Sequence, residues 1–347
     1  MSSSSQARGK LPFLQRLRVS IGFLGLVFAV LPKIFSRANK NRGWARAVSD
    51  SGTRVFVTSG WNIWHMAYAM GGTATPIYVK WAKQNKLKVL SDDIGEGAKL
   101  HWVGPQRFDR VFLFFHGGGF SLPPSGPEQL NFLYQVQRDL QVSVGGAGVA
   151  FLEYSLTPDY LFPTQLCQAN AAEAILRVAI WLYNWHPTSC ILIPTFLPPP
   201  TLPSPFGGAL LISPWVTYDV SSSSFAENDK YDTMNIAIIK FLADLVRPGI
   251  RPEQRAYFEP CAADDAWWTG LDIVFSRIMN TAGEVECLRD PIVQLGETLK
   301  NHVKDTTTVV EKNGVHEDVL KDFGVGRGEK SDAYKLDINW LCETFKG

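Results

Sequence analysis

Cysteine is scarce in this chain, and what there is does not form a pattern. The 347 residues hold five cysteines, Cys167, Cys190, Cys261, Cys287 and Cys342, odd in number and without C-x-x-C spacing. That excludes a disulfide framework and a zinc-ribbon site. The six histidines include no H-x-x-x-H pair, so no metal is expected. Excess charge is lacking too. The 34 Lys and Arg against 33 Asp and Glu leave a net +1, which offers nucleic acid no electrostatic footprint. A full membrane span needs ~20 apolar residues, and the uncharged run from Val19 to Pro32 has only 14. What the chain does have is 46% hydrophobic residues. At this length that buries the core of one large α/β domain with appendages.

The stretch that organises the rest is Arg110 to Phe120, RVFLFFHGGGF. Val111 to Phe115 is an unbroken apolar run of strand length that ends in glycines, which predicts a strand buried on both faces. It breaks into His116, Gly117, Gly118 and Gly119. Three consecutive glycines free the backbone for positive φ and turn amide N–H groups towards anything brought close. Two readings follow: a plain glycine turn, or a cradle for the oxyanion of an acyl-transfer transition state. The order apolar strand, His, triple Gly, aromatic resembles the HGGG oxyanion loop of the lipase and esterase branch of the α/β-hydrolases.

Three further segments carry the same resemblance. EYSLTPDYLFPTQL, from Glu153 to Leu166, and FGGALLISPWVTYD, from Phe206 to Asp219, look like core segments of the hormone-sensitive-lipase-like esterases. The first is closer still to the fungal steryl-acetyl-hydrolase relatives. GEVECLRD, from Gly283 to Asp290, matches the D-x-L-x-D of that branch, which implies Glu286 as the acid that orients a histidine. Asp290, the alternative acid, stands before Pro291 at a helix start and is expected to cap it; Glu284 is a weaker candidate. Thr306 to Glu311 reads as a late β-branched strand, and Asn313-Gly314-Val315-His316 follows as a turn. A histidine there is where the family keeps its base.

One part of the family pattern fails. No G-x-S-x-G occurs anywhere in the chain, although an α/β-hydrolase needs that strained elbow to present its serine. After a strand-like CILI, Cys190 to Ile193, the sequence runs from Pro194 to Pro205 with six prolines in twelve residues. It reads as an extended strap standing where an elbow and its helix were excised. Ser155, Ser189 and Ser213 lack glycines at both sides, so the nucleophile is unknown.

The resemblance therefore implies an α/β-hydrolase fold, a mostly parallel sheet with helices on both faces and a missing elbow helix. It also implies an N-terminal helical cap, assigned to 43–86 within a domain of 41–347. Residues 1–40 are expected to be a disordered start and an anchor-like helix. Basic residues flank the run from Val19 to Pro32, and three readings compete: a membrane anchor or interfacial helix through 19–35, a cleaved signal peptide, and a helix packed on the domain. The first implies a membrane-associated protein, of the endoplasmic reticulum; secretion and the cytoplasm are the alternatives. Further expected elements are edge strands in KVL and KLHWV around an Asp-Asp-x-Gly turn, and helices over Leu166 to Trp185 and Ile236 to Val246. A strand over Leu271 to Met279 and a C-terminal helix capped by Ser331 complete the reading. The expected function is that of a carboxylic-ester hydrolase for a small, apolar ester, without a cofactor and crippled by its missing serine. The rival readings are a non-catalytic binding protein and a biosynthetic enzyme that moves protons with His316 and Glu286 alone.

Overall fold

A computed structural model of the chain describes residues 8–36, 39, 40, 42–176 and 206–346. The segment from Cys190 to Pro205, where a strand and a strap were expected, lies outside the described residues, as does the second half of the helix expected over Leu166 to Trp185.

The apolar run after Arg110 is strand β3, Val111–Phe115, with all five side chains buried. It pairs in parallel with β4, Gly148–Glu153, in the register Val111↔Gly148 to Phe115↔Leu152. On the far side of β4 lies β2, Lys99–Trp102, and beyond it β1, Ser91–Asp93, both antiparallel. The order is β1-β2-β4-β3. A second sheet, all parallel, has the order β5, Ala209–Ile212, then β6, Ile278–Gly283, then β7, Thr306–Glu311. VFLFF and ALLI are continuous apolar runs because parallel strands must bury both faces. At about 1.5–3 kcal/mol per buried large side chain, β3 is among the chief hydrophobic contributors.

Among the described residues, six α-helices come before β5. They are α1, Phe13–Ile34; α2, Trp44–Val57; α3, Ile63–Ala69; α4, Ala74–Gln84; α5, Pro127–Val144; and α6, Thr164–Leu176. Helix α5 makes the crossover from β3 to β4, opening on Pro127 and closing on left-handed Gly145. After β5 come α7, Ser223–Asn228, and α8, Ile236–Val246. Then α9, Arg289–His302, links β6 to β7, and α10, Asp318–Gly324, and α11, Asp332–Thr344, end the chain. Helix α2 is fastened to α10 by Arg46, whose guanidinium meets Asp318 at 2.8 Å and Asp322 at 2.6 Å. That buried fan fixes the chain just after His316.

Four expectations need correction. The first edge strand is Ser91–Asp93, not KVL. Asp92 accepts from Trp102 Nε1 at 2.7 Å, so the acidic pair is held in the ladder and the turn moves to 94–98. Leu271 to Met279 is not one strand. Leu271–Val274 is a single helical turn with Asp272 and Ile273 facing solvent, an isolated bridge joins Phe275 to Phe206, and the continuous ladder begins at Ile278. Asp290 does not cap α9: Leu288 holds that position, and the Asp290 carboxylate accepts from Ser223 Oγ at 2.7 Å and Ser224 N at 2.9 Å. Ser331 stands at the N-cap of α11 but makes no side-chain capping bond.

Candidate active site

The ends of β5 and β6 and the loop after β7 converge on one buried ion pair. His316 Nδ1 lies 2.7 Å from Glu286 Oε1. The other carboxylate oxygen, Oε2, accepts from Ser213 Oγ at 2.9 Å and from Gly283 N at 2.8 Å. Glu286 is fully buried, so those donors, with the imidazole, satisfy a charge that would otherwise be costly to bury. With a carboxylate on Nδ1, the neutral ring keeps its proton there and presents a lone pair at Nε2. Ser213, at the end of β5, has φ 47°. Its oxygen also accepts from Glu317 N at 3.1 Å, so this serine ties the acid to the chain after His316.

Asp232 does the same for the backbone. Its Oδ1 accepts from His316 N at 2.9 Å and its Oδ2 from Cys287 N at 2.8 Å. One side chain thus clamps the loops bearing His316 and Glu286. Nothing in the sequence singled out Asp232, which sits in a polar connector with no motif around it. Burial and the nearby Glu286 charge push its carboxyl up to about 6.

The charges set the imidazole. Burial favours neutral His316. The Glu286 hydrogen bond and the charges of Glu286, Glu317 and Asp232 outweigh burial and push the ring up to about 9. His116, equally buried but without a carboxylate in contact, shows the opposite: burial pushes it down to about 4. It stacks on Tyr154 with centroids 4.2 Å apart, and Tyr154 Oη donates to its carbonyl at 2.7 Å. His116 is a wall of the glycine loop.

A cavity of about 480 Å³ joins the two halves: Gly117 and Gly118 line it together with His316 and Glu317. Gly118 has φ +110°, and a Cβ there would come within 2.7 Å of the Leu122 carbonyl oxygen, so only glycine fits. Among the described residues, the amides of Gly117, Gly118 and Gly119 donate to no backbone carbonyl. Gly119 stands off the cavity, its Cα against Trp215, where a Cβ would meet the indole at 2.4 Å. Most of the wall is apolar, from Phe56 and Met70 on the N-terminal helices to Leu122, Ile238 and Leu242 on the body; Glu128 and Lys321 mark a polar end.

Other candidates fall away from this site. Asp290 is bound to Ser223, Ser224 and Arg289, and Glu284 accepts from Asn313 N at 2.7 Å near the surface. Ser155 Oγ accepts from Gln168 at 2.9 Å, and Ser189 lies outside the described residues.

No family model matches the chain, and no curated protein matches it either. Solved structures do. The chain resembles a mutant of the esterase E40 at 21% identity, with a TM-score of 0.61 over 97% of this chain and 100% of that one. It resembles a thermostable esterase from Pseudomonas putida at 17% identity, TM-score 0.60, over 84% and 94%. It also resembles EstE5, in crystals soaked with p-nitrophenyl butyrate, at 18% identity, TM-score 0.59, over 85% and 97%. The fold is the α/β-hydrolase fold. In such a fold ligands sit beyond the carboxyl ends of the parallel strands, which is where His316, Ser213 and the glycine loop stand.

A second His–Glu pair lies elsewhere in this hydrolase fold. His101 Nε2 is 2.9 Å from Glu153 Oε2, and its Nδ1 is 2.7 Å from Ser91 Oγ. The connectivity is that of a Ser-His-Glu triad, but the cluster sits on β1, β2 and β4. The His101 ring is flanked by Tyr78 and Phe151 at 4.8 and 4.9 Å, and none of its members lines the cavity.

Proposed function

We propose that the cavity is the acyl-transfer site of a carboxylic-ester hydrolase related to the hormone-sensitive-lipase-like esterases, and that this chain turns esters over slowly or not at all. One observation carries the reading. His316, held on Nδ1 by buried Glu286, shares a cavity with the amides of Gly117 and Gly118. In its neutral form, which His316 reaches as pH rises through about 9, Nε2 is then the nitrogen that takes a proton from an attacking hydroxyl, while Glu286 stabilises the imidazolium that forms. The glycine amides meet the oxygen on which charge develops. Gly119 serves by letting Trp215 close behind the loop.

What this machinery lacks is something to attack with. The sequence has no G-x-S-x-G, and Ser213 is committed to Glu286 rather than to Nε2. Without a nucleophile, binding and oxyanion stabilisation leave about 10³–10⁴ over the reaction in water. An elbow excised before Pro194 accounts for a body otherwise like an esterase. The substrate class is a small apolar ester, bound beneath the cap that α2 and α3 form. The test uses p-nitrophenyl butyrate turnover and a fluorophosphonate probe. The expected result is weak turnover and no stoichiometric labelling. Full labelling that His316→Ala abolishes would show a nucleophile in place and overturn the reading.

A second reading has its own support: Glu317 Oε1 lies 3.8 Å from His316 Nε2, so two ionisable groups face one space. A lyase or isomerase moving protons through His316 needs no serine. It requires a rate that follows the His316 ionisation and ignores fluorophosphonate. A rate without that pH dependence eliminates it.

A further inference from the structure

We propose that α1 is an in-plane docking helix for an anionic membrane surface, set so that Phe23 stands where the leaflet meets the cavity. The docking is independent of the catalytic reading; only the supply of an ester from the leaflet rests on it.

Helix α1 is apolar all round, yet the protein covers only a narrow stripe of it. Val19 and Ile34 are buried, and Gln15, Gly22, Leu26 and Val30 are half-buried, a spacing of three and four that marks one helical face. Gly22 presses on Trp61 so closely that a Cβ would meet the indole at 2.8 Å, and Phe23 packs edge-on to the same ring at 5.2 Å. At the far end Asn39 Nδ2 donates to the carbonyls of Lys33 at 2.9 Å and Ile34 at 3.1 Å and reaches Ser51 on α2 at 2.9 Å. The helix is therefore fastened along its length. Its 22 residues extend ~33 Å, enough to cross a bilayer. Crossing in this pose would drag α2, with Arg46, Asp50 and Arg54, to hydrocarbon depth. Lying in the interface drags nothing.

The outward face fits that plane. Leu14, Leu17, Ile21, Leu24, Phe28 and Leu31 are exposed, Phe28 to 73%, where a helix facing water would carry polar residues. The only charges from Phe13 to Ile34 are Arg16, Arg18 and Lys33, all exposed, with exposed Lys10 and Lys40 beyond the ends. Apolar residues ringed by cations, with no acid among them, complement an anionic leaflet. A second copy of this chain would bring the same cations against them, which disfavours self-association through this face. Phe23 connects the two environments: it is 43% exposed on α1 and lines the cavity beside Phe56, Val57 and Met70. An apolar ligand leaving the leaflet reaches the cavity along that ring without crossing water.

The experiment is flotation of the full chain with phosphatidylcholine vesicles, with and without phosphatidylserine, beside gel filtration in the absence of lipid. Binding should need phosphatidylserine, weaken with salt, and yield to an alkaline carbonate wash. Arg16→Glu with Arg18→Glu should cut it at least about tenfold. Leu24→Glu with Phe28→Glu should abolish it while the unfolding midpoint stays put, since both side chains are already in solvent. Resistance to carbonate would mean a spanning helix and overturn the proposal. So would a dimer that the Leu24 and Phe28 substitutions dissociate, and so would a monomer that ignores the vesicles. None of these outcomes depends on ester turnover, so a chain that proves inactive leaves the result readable.

Discussion

Among the described residues, two hydrogen-bonded histidine–glutamate pairs stand on different sheets, and only one of them faces a cavity. His316–Glu286 and His101–Glu153 have nearly the same contact, 2.7 and 2.9 Å. They differ in which nitrogen is spent and in what surrounds the other. Glu286 takes Nδ1 and leaves Nε2 towards a cavity lined by Gly117 and Gly118. Glu153 takes Nε2, Ser91 takes Nδ1, and two aromatic rings cover the imidazole. A triad is therefore not a set of three residues in contact. It is an imidazole with one nitrogen anchored and the other facing a place where a carbonyl fits.

The comparison breaks first on stability. His101→Ala should remove one of the groups that hold Glu153, leaving those of Thr75, and open a hole between Tyr78 and Phe151, at a cost of about 2–5 kcal/mol that comes mostly from the cavity. Urea unfolding measures it, and a loss below ~1 kcal/mol would show that the pair is idle. Binding of an apolar dye in the cavity should be unchanged. Glu286→Gln acts on chemistry instead. The carboxylate that outweighs burial is gone, so His316 should titrate not near 9 but at or below the ordinary 6.5. Imidazole NMR resonances across pH decide this, and a ring still titrating near 9 would assign the shift to Glu317 and Asp232.

The two pairs should also fail at opposite ends of the pH scale. His316 is raised in the folded state, so its stabilisation is complete below about 6.5 and is lost as pH rises through about 9. Glu153 is depressed: burial would raise it, but hydrogen bonds from His101 and Thr75 outweigh burial and hold it at about 2. Its stabilisation is present above the ordinary carboxylate range and disappears as pH falls through about 2. Unfolding midpoints over pH should therefore show an alkaline arm that Glu286→Gln flattens and an acid arm that Glu153→Gln flattens. If either substitution flattened the other's arm, the assignment would be wrong.

Much of this was legible before any coordinates. VFLFF could only be a buried strand, and the glycines after it could only be a turn or a cradle. Glu286 and His316 came from the resemblance of GEVECLRD and GVH to the segments in which the esterases carry their acid and base. What stayed hidden depended on pairing across distant segments. Asp232 looks like any loop acid until its two oxygens meet amides from 287 and 316. Asp290 looked like a cap because its Pro291 neighbour marks a helix start, but Ser223 and Ser224 compete for the carboxylate and win. The strand expected over Leu271 to Met279 lies instead in IMNTAG, whose Asn and Gly are poor strand formers. It is a strand because β5 and β7 flank it, and Asn280 donates to the Ile292 carbonyl at 2.9 Å.

The smallest expected effect is also the sharpest separation of the two pairs. Ser91 and Ser213 each bond a His–Glu pair, one through the imidazole and one through the carboxylate. Ser91→Ala removes a bond at an exposed edge strand, so water replaces it and the cost should stay near 0.5–1 kcal/mol. Ser213→Ala leaves a buried carboxylate oxygen short of one donor and the Glu317 amide short of its acceptor, at about 1–3 kcal/mol. Urea midpoints should rank them in that order. Neither alanine should change reaction with fluorophosphonate, because Ser91 has no amide cradle and Ser213 faces the acid. A labelled peptide containing Ser91 would mean that connectivity alone makes a nucleophile, and the distinction between the two pairs would fall with it.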